Sequence, residues 1–326
     1  MKVINIAVWG LGRHALVRIL PAIKSFNKFS LIGVCSRNEK LVTKASSELN
    51  CKGWISPVKM LSDIKVDVIY IATPIGVHAE QVTQALRAGK HVWCEKPLTC
   101  NYEDSKKLVS IAKKNNRMLV EAFMYLYHPQ FEKVQNYIDD KSNGKVYSLI
   151  CRFGMPALEN PGFRSNKSLG GGAFWDIASY PVSAVLALFS SKKVKILFSE
   201  IVHKEDSSVD TGGRALLRFS QGTSAYLEWE MGVSYKNEID LWSERGSFFT
   251  DKIFSKPENY ETKYRIRDSK GNEYIENGLI SEQFIDMFQF FYNIYYSPNL
   301  IYKEYQCILD RARVLDEITK SAKLIE

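Results

Sequence analysis

Val3-Ile4-Asn5-Ile6-Ala7-Val8-Trp9-Gly10-Leu11-Gly12-Arg13-His14-Ala15 is the stretch that decides the fold. From Val3 to Trp9 the run is apolar except at Asn5, as expected of a strand buried on both faces. It enters the pattern G-x-G-x-x-A and then a helical pattern that continues to Ile23. Gly10 permits a tight turn, Gly12 lets the backbone approach a pyrophosphate, and the small Ala15 lets helix and strand pack closely. The N-terminus of the helix then faces the anion. In this order the elements make a dinucleotide site, with Gly10, Leu11, Gly12, Arg13 and His14 as expected contacts.

The next strand, Leu31 to Cys35, ends at Ser36-Arg37, with Lys40 one turn on. An NAD site commonly has a carboxylate there for the ribose 2′-hydroxyl. A hydroxyl and a guanidinium instead suit a 2′-phosphate, so NADP(H) is expected over NAD(H). Val66 to Ala72 forms another buried strand and ends at Thr73-Pro74, and Gly89 stops the helix that follows. Val92-Trp93-Cys94 then delivers Glu95 and Lys96 side by side, and Pro97 forbids the strand from continuing. A lysine at the carboxyl end of a parallel strand points into the crevice where ligands bind. With a helix over 101–115 and a strand at 118–120, residues 1–122 alternate as a doubly wound parallel sheet, a Rossmann domain.

From residue 123 the pattern changes. A helix over 129–140 precedes short strands at 145–153, 194–203, 213–220, 223–231, 237–243, 247–253, 263–268 and 273–276. Helices at about 281–296 and 303–323 close the chain, with Phe284, Met287, Phe288 and Phe291 at core spacing. Residues 123–326 therefore read as an α+β domain for substrate binding and oligomerisation, built on a large, mostly antiparallel open sheet.

The 326 residues suffice for two cores, and the formal charge is +8. Residues 1–122 hold 19 basic and 9 acidic residues, whereas 123–326 hold 25 and 27. No basic block with interleaved aromatics is present, so a phosphate-rich small molecule fits the first half better than nucleic acid. No apolar run reaches membrane-spanning length, and no signal-peptide pattern opens the chain. Six cysteines without a C-x-x-C pair or metal spacing read as reduced thiols, and a cytoplasmic chain without a metal is expected.

Several stretches together resemble the glucose–fructose oxidoreductase / inositol dehydrogenase (Gfo/Idh/MocA) family. They are Gly10 to Ala15, Ala72-Thr73-Pro74 with His78, Ala88-Gly89-Lys90-His91-Val92 running into Glu95-Lys96-Pro97, and Gly170-Gly171-Gly172-Ala173 followed by Asp176. The resemblance spans both domains. It implies an NAD(P)-dependent oxidoreductase acting on a sugar or polyol, and a dimer or tetramer built on the open sheet face. Thr73, Pro74, His78, Glu95, Lys96, Ser36, Arg37 and Arg164 join the expected cofactor contacts. Many members carry His at the position of Tyr180; Tyr resembles the glucose–fructose oxidoreductases, dihydrodiol dehydrogenases and nucleotide-sugar 3-ketoreductases. Glu121 to Gln130 and Gly162-Phe163-Arg164 also resemble those branches, and Leu126 leans toward the last of them.

A ketone reduced by hydride needs a proton at oxygen as charge develops there. Tyrosine, with an ordinary pKa near 10, is protonated at neutral pH and suited to give it. Lys96 would stabilise the developing charge, and Asp176, four residues before Tyr180 on one expected helix face, would orient the pair or a substrate hydroxyl. The three glycines are expected to let backbone approach cofactor or substrate. Tyr125, His128 and Trp175 are further substrate-pocket candidates, with His128 next in line as acid. The expected reaction is reduction of a keto group on a nucleotide-linked sugar. Dehydrogenation of a free sugar, inositol or dihydrodiol, and a cofactor-binding sensor without turnover, are the alternatives.

Overall fold

The computed structural model describes residues 2–189 and 194–325. The chain divides into two units, Met1–Ala122 with Phe284–Ala312, and Phe123–Gln283 with Arg313–Glu326.

The first unit is built on six parallel strands: β1 (Ile4–Trp9), β2 (Phe29–Cys35), β3 (Lys52–Trp54), β4 (Val68–Ile71), β5 (His91–Glu95) and β6 (Leu119–Ala122). Their spatial order is β3-β2-β1-β4-β5-β6, so the direction of winding reverses between β1 and β4. Trp9 pairs with Cys35 and Ile71, Ile71 with Cys94, and Glu95 with Ala122. This register brings the carboxyl ends of five strands to one edge, where ligands of such sheets bind. A π-helical turn over Ala15–Ile19 leads into α1 (Leu20–Ser25), and α2 (Glu39–Leu49), α3 (Pro57–Leu61), α4 (His78–Arg87) and α5 (Tyr102–Lys114) complete the crossovers.

The second unit carries a nine-stranded mixed sheet. Its strands are β7 (Val146–Met155), β8 (Val194–His203), β9 (Asp210–Phe219), β10 (Ser224–Met231), β11 (Lys236–Ser243), β12 (Gly246–Asp251), β13 (Lys263–Arg267), β14 (Glu273–Asn277) and β15 (Lys323–Ile325). They run in the order β14-β13-β12-β11-β7-β10-β9-β8-β15, antiparallel except for β10 with β7 and β15 with β8. The sequence reading contained no β15, which is only three residues long. Helices α6 (Pro129–Asp139) and α7 (Ser179–Leu188) belong to this unit, and α7 packs on β7 and β10.

Alternation along β10 fixes which residues face the core. Ala225, Leu227 and Trp229 are buried, while Tyr226 and Glu228 are half-buried on the other face. Tyr226, Trp229, Tyr235 and Trp242 in the strand pattern 223–242 are expected from sequence to form an exposed aromatic patch, but Trp229 lies in the core, with its ring 5.6 Å from Phe174. On the opposite face, register aligns Glu200, Arg214, Glu228, Arg152 and Glu238 into a row of alternating charge across five strands. Arg152 pairs with both Glu228 and Glu238, and Arg214 lies 3.0 Å from Glu200.

The closing helices are α8 (Gln283–Tyr295) and α9 (Pro298–Ser321). Residues 284–312 do not stay with the expected 123–326 domain; they pack with the first unit. The reason is aromatic. Phe288 packs on Phe29, Tyr70 and Trp93 at 5.4, 6.1 and 6.4 Å, and Phe291 on Trp93 at 5.0 Å. Both phenylalanines are fully buried, each worth roughly 1.5–3 kcal/mol of burial. The spacing of Phe284, Met287, Phe288 and Phe291 was core spacing, for the core of the first unit. No described helix is long and apolar enough to cross a membrane.

Candidate active site

In the first unit the glycine turn follows β1. Gly10 has φ +112, and a Cβ there would lie 2.6 Å from the Ala72 carbonyl oxygen, so the β1 and β4 ends can approach only if residue 10 is glycine. Around Gly12 a Cβ would meet nothing within 4 Å, which leaves open space for a pyrophosphate against the main chain. Leu11 and Ala15 are buried, whereas Arg13 is exposed. The turn thus fits a dinucleotide: a forced bend, an open backbone and a small residue under the helix.

At the β5 end, Glu95 Oε1 accepts hydrogen bonds from Tyr70 Oη at 2.7 Å and from His14 Nε2 at 3.1 Å. Burial pushes the Glu95 carboxyl up, but His14, Tyr70 and the Lys96 charge outweigh it and hold the group below the usual carboxylate range. Lys96 is half-buried, and its peptide bond to Pro97 is cis. The loop after it is clamped: Leu98 N donates to Glu121 at 2.7 Å. Glu121 also accepts from Arg311 at 2.7 Å, and Arg311 reaches Glu304 at 2.8 Å, all three side chains being buried.

His78 was expected among the cofactor contacts. It is fully buried, with Nε2 2.9 Å from the Thr73 carbonyl and Nδ1 3.1 Å from that of Pro97. Burial lowers its pKa against the pull of those two carbonyls, and a ring nitrogen that carries a proton donates to the carbonyl it faces. It ties the Thr73-Pro74 turn to the Lys96 loop without facing a ligand. Thr73 itself is half-buried beside Pro74, and its hydroxyl donates to Gln81 at 2.6 Å. Ser36 follows β2 with its hydroxyl accepting from Asn38 N at 3.2 Å, and Arg37 is exposed.

In the second unit, Phe174–Ala178 is π-helical and runs into α7, so Asp176 and Tyr180 lie on consecutive turns of different pitch rather than on one α-helical face. Arg164, read as a phosphate contact, is paired with Asp176 through Nε at 2.5 Å and stacks over Phe163 at 4.9 Å. Tyr180 sits in an aromatic box of Phe153, Phe254, Phe123 and Tyr125, with ring centroids 5.2 to 5.9 Å away. The half-buried Trp175 lies beside Phe174, ring to ring at 4.9 Å.

Tyr125 and His128 are supports rather than pocket walls. Tyr125 is fully buried, and its hydroxyl bonds Ser183 Oγ at 2.6 Å and the Tyr180 carbonyl at 3.2 Å. His128 Nδ1 accepts from Gln130 N at 3.0 Å, which places the proton on Nε2 facing the Ser281 carbonyl at 3.3 Å. Burial and the Lys256 charge push it down to about 4, so it is a neutral helix cap and not a reserve acid. The glycine run also differs from its reading. A Cβ on Gly171 would lie 2.5 Å from the Arg164 carbonyl oxygen, and one on Gly172 2.1 Å from Asp210 Oδ1. Those glycines admit the protein's own neighbours.

Sequence reasoning missed Tyr70, Arg311 and Glu304 in the first unit and Asp210 in the second, because each meets a partner from a distant part of the chain. Among the described residues no group of three His, Cys, Asp or Glu is arranged to hold a metal.

Residues 4–123 match the family model described as "Oxidoreductase family, NAD-binding Rossmann fold", and residues 131–249 match "GFO/IDH/MocA C-terminal domain". The dTDP-3,4-didehydro-2,6-dideoxy-alpha-D-glucose 3-reductase of Saccharopolyspora spinosa is 30% identical over 81% of this chain and 80% of its own length. The chain belongs to the Gfo/Idh/MocA family of oxidoreductases. A second relative, trans-1,2-dihydrobenzene-1,2-diol dehydrogenase of Xenopus laevis, is 29% identical over 70% of this chain and 67% of its own. Among solved structures, the 3-ketoreductase KijD10 of Actinomadura kijaniata, in complex with NADP and TDP-benzene, matches with TM-score 0.92 and 26% identity over 99% of each chain.

Proposed function

We propose that this family member is an NADP(H)-dependent ketoreductase of a nucleotide-linked sugar, with Tyr180 as proton donor and Lys96 assisting. One observation carries the substrate class: the likeness to a dTDP-sugar 3-reductase covers 81% of the chain, and that to the 3-ketoreductase KijD10 covers 99%. KijD10 was crystallised with NADP and a TDP derivative, which supports both the phosphorylated cofactor and the nucleotide handle.

The bound nicotinamide supplies the hydride. The chain's own residues do the rest. The Gly10–His14 turn holds the pyrophosphate, and Ser36 with Arg37 discriminates for the 2′-phosphate. Tyr180, in its apolar box, gives its proton to the carbonyl oxygen as that oxygen gains charge, and the Lys96 ammonium stabilises the negative charge that forms. Asp176, held by Arg164, orients the reacting groups. Trp175 walls the pocket. The sugar and the carbon reduced follow the relatives only as far as a 3-keto position on a deoxysugar.

A panel of substrates tests this. NADPH oxidation should occur with a dTDP-linked 3-keto-deoxysugar and be competitively inhibited by TDP. Turnover of xylose, inositol or a dihydrodiol with indifference to TDP would favour the dehydrogenase reading instead, which the Xenopus relative supports. Binding of NADPH without turnover of any of them would favour a sensor.

We further propose a homodimer or homotetramer joined through the open sheet face. Register aligns Phe198, Leu216, Tyr226 and Ile150 into an apolar row beside the charge row, and Asp240 of β11 interrupts it before Phe249. An apolar patch of that kind, edged by alternating charge, suits a self-complementary contact. Six unpaired cysteines are compatible with a cytoplasmic location.

A further inference from the structure

Asp210 opens β9 and has no part in the chemistry above. Its Oδ2 accepts from Phe174 N at 2.6 Å, and the neighbouring Ala173 amide also favours the ionised carboxylate. These amides begin the π-to-α helix that carries Asp176 and Tyr180. That helix starts at Ala173, which has no side chain able to cap it. The cap comes from 36 positions away.

The neighbouring glycine is matched to it. Gly172 has φ +110, and a Cβ there would stand 2.1 Å from Asp210 Oδ1. Any side chain at 172 would push the carboxylate off the helix start. Across the sheet, His203 of β8 pairs with Asp210. The carboxylate is thus half-buried, aimed at the helix start, and admitted by one glycine.

We infer that Asp210 is a positioning residue for the reduction: a remote cap that sets the start, and hence the placement, of the helix bearing Asp176 and Tyr180. The inference rests on the proposed role of Tyr180 as proton donor. A carboxylate presents two acceptor oxygens to these amides and no donor. An asparagine in its place accepts from one and turns an NH2 toward the other, and alanine accepts from neither. Small misplacements of a reacting group cost much rate, of order 10²-fold per ångström.

The test compares Asp210→Ala, Asp210→Asn and Gly172→Ala with wild type, each normalised to NADPH-binding sites titrated in the same sample. Asp210→Ala should lower kcat roughly 10- to 100-fold, with the Kd for NADPH within about twofold, because no phosphate contact changes. The solvent deuterium isotope effect on kcat should rise, since transfer of the Tyr180 proton becomes slower. Asp210→Asn should fall between Asp210→Ala and wild type, and Gly172→Ala should reproduce the Asp210→Ala defect. A cap that served stability alone would reduce the number of binding sites and leave kcat per site and the isotope effect unchanged. That result would overturn the inference. Should Asp210→Ala not fold, the isosteric Asp210→Asn decides alone, and wild-type kcat with an unchanged isotope effect would overturn it. Tyr180→Phe, measured alongside, separates the two ideas. If it keeps full turnover, the donor assignment fails and the cap loses its reason. If it collapses while Asp210→Ala does not, only the cap fails.

Discussion

His14 of the glycine turn and Glu95 of the β5 end meet at 3.1 Å, so the glycine turn and the strand end that presents Lys96 are joined by one carboxylate. Tyr70 shares that carboxylate from β4 at 2.7 Å, and Glu95 is thereby the common anchor of three strand ends. Removing its charge should be felt at both the turn and the lysine.

For Glu95→Gln we expect an unfolding free energy lower by about 1.5–3 kcal/mol at pH 7, the range of hydrogen bonds to charged groups. The pH dependence has a definite sign. A carboxyl held below its usual range contributes stability that is fully present above its unfolded pKa, near 4.3. That contribution is lost as pH falls through the lower, folded value. Urea titrations from pH 7 to pH 3 should show wild type losing more stability than the variant. Parallel curves would contradict the anchor.

Arg311 stands between two buried carboxylates, Glu121 and Glu304. Whether the trio as a whole stabilises the fold is a separate matter, since burying charges is costly. Removing only the cation leaves two carboxylates buried, and Arg311→Met should destabilise by about 3–5 kcal/mol. Chemical denaturation measures it, and a loss under about 1 kcal/mol would mean that the carboxylates find protons or water without difficulty. Glu304, already raised by burial, should take up the proton first.

Much of this was legible in the sequence. Eight strands of the second unit stood out by alternation and turn residues, and the strand–glycine–helix order gave the parallel sheet, because both signals are local. The sidedness of Trp229 was misread as open-face, although its two-residue spacing from the buried Leu227 and Ala225 marks the core side. Partners were not legible. Tyr125 and His128 show polar atoms in the sequence, but the groups that occupy them lie 58 and 153 positions away. Arg311 meets Glu121 across 190 positions, and the pull of Trp93 on Phe288 and Phe291 carried a C-terminal segment into the first unit. The glycine run misled for the same reason: close approach was correctly inferred, but the approaching group is Asp210.

Cofactor choice rests on Ser36 and Arg37. Arg37→Ala should weaken NADPH by a charge-assisted contact of roughly 1.5–3 kcal/mol and leave NADH nearly unchanged. Fluorescence titration of both cofactors into wild type and variant reads this directly. Wild type binding NADH more tightly than NADPH would remove the basis for the assignment.

Assembly should depend on the apolar row of the open face. Wild type is expected to scatter light as a dimer or tetramer at micromolar concentration. Tyr226→Asp, which places a charge in the row without touching the buried side of β10, should shift it toward monomer. A monomeric wild type would count against the interface.

The most direct test of the account is the turnover of Tyr180→Phe with NADPH and a dTDP-linked 3-keto-deoxysugar, set beside wild type. Phenylalanine keeps the ring within the box of Phe123, Tyr125, Phe153 and Phe254 and removes only the hydroxyl. We predict kcat lower by roughly 10²–10⁴-fold, with NADPH affinity preserved, since the glycine turn and Arg37 are untouched. Undiminished turnover would contradict the assignment of Tyr180 as proton donor, and the already neutral, fully engaged His128 could not take its place.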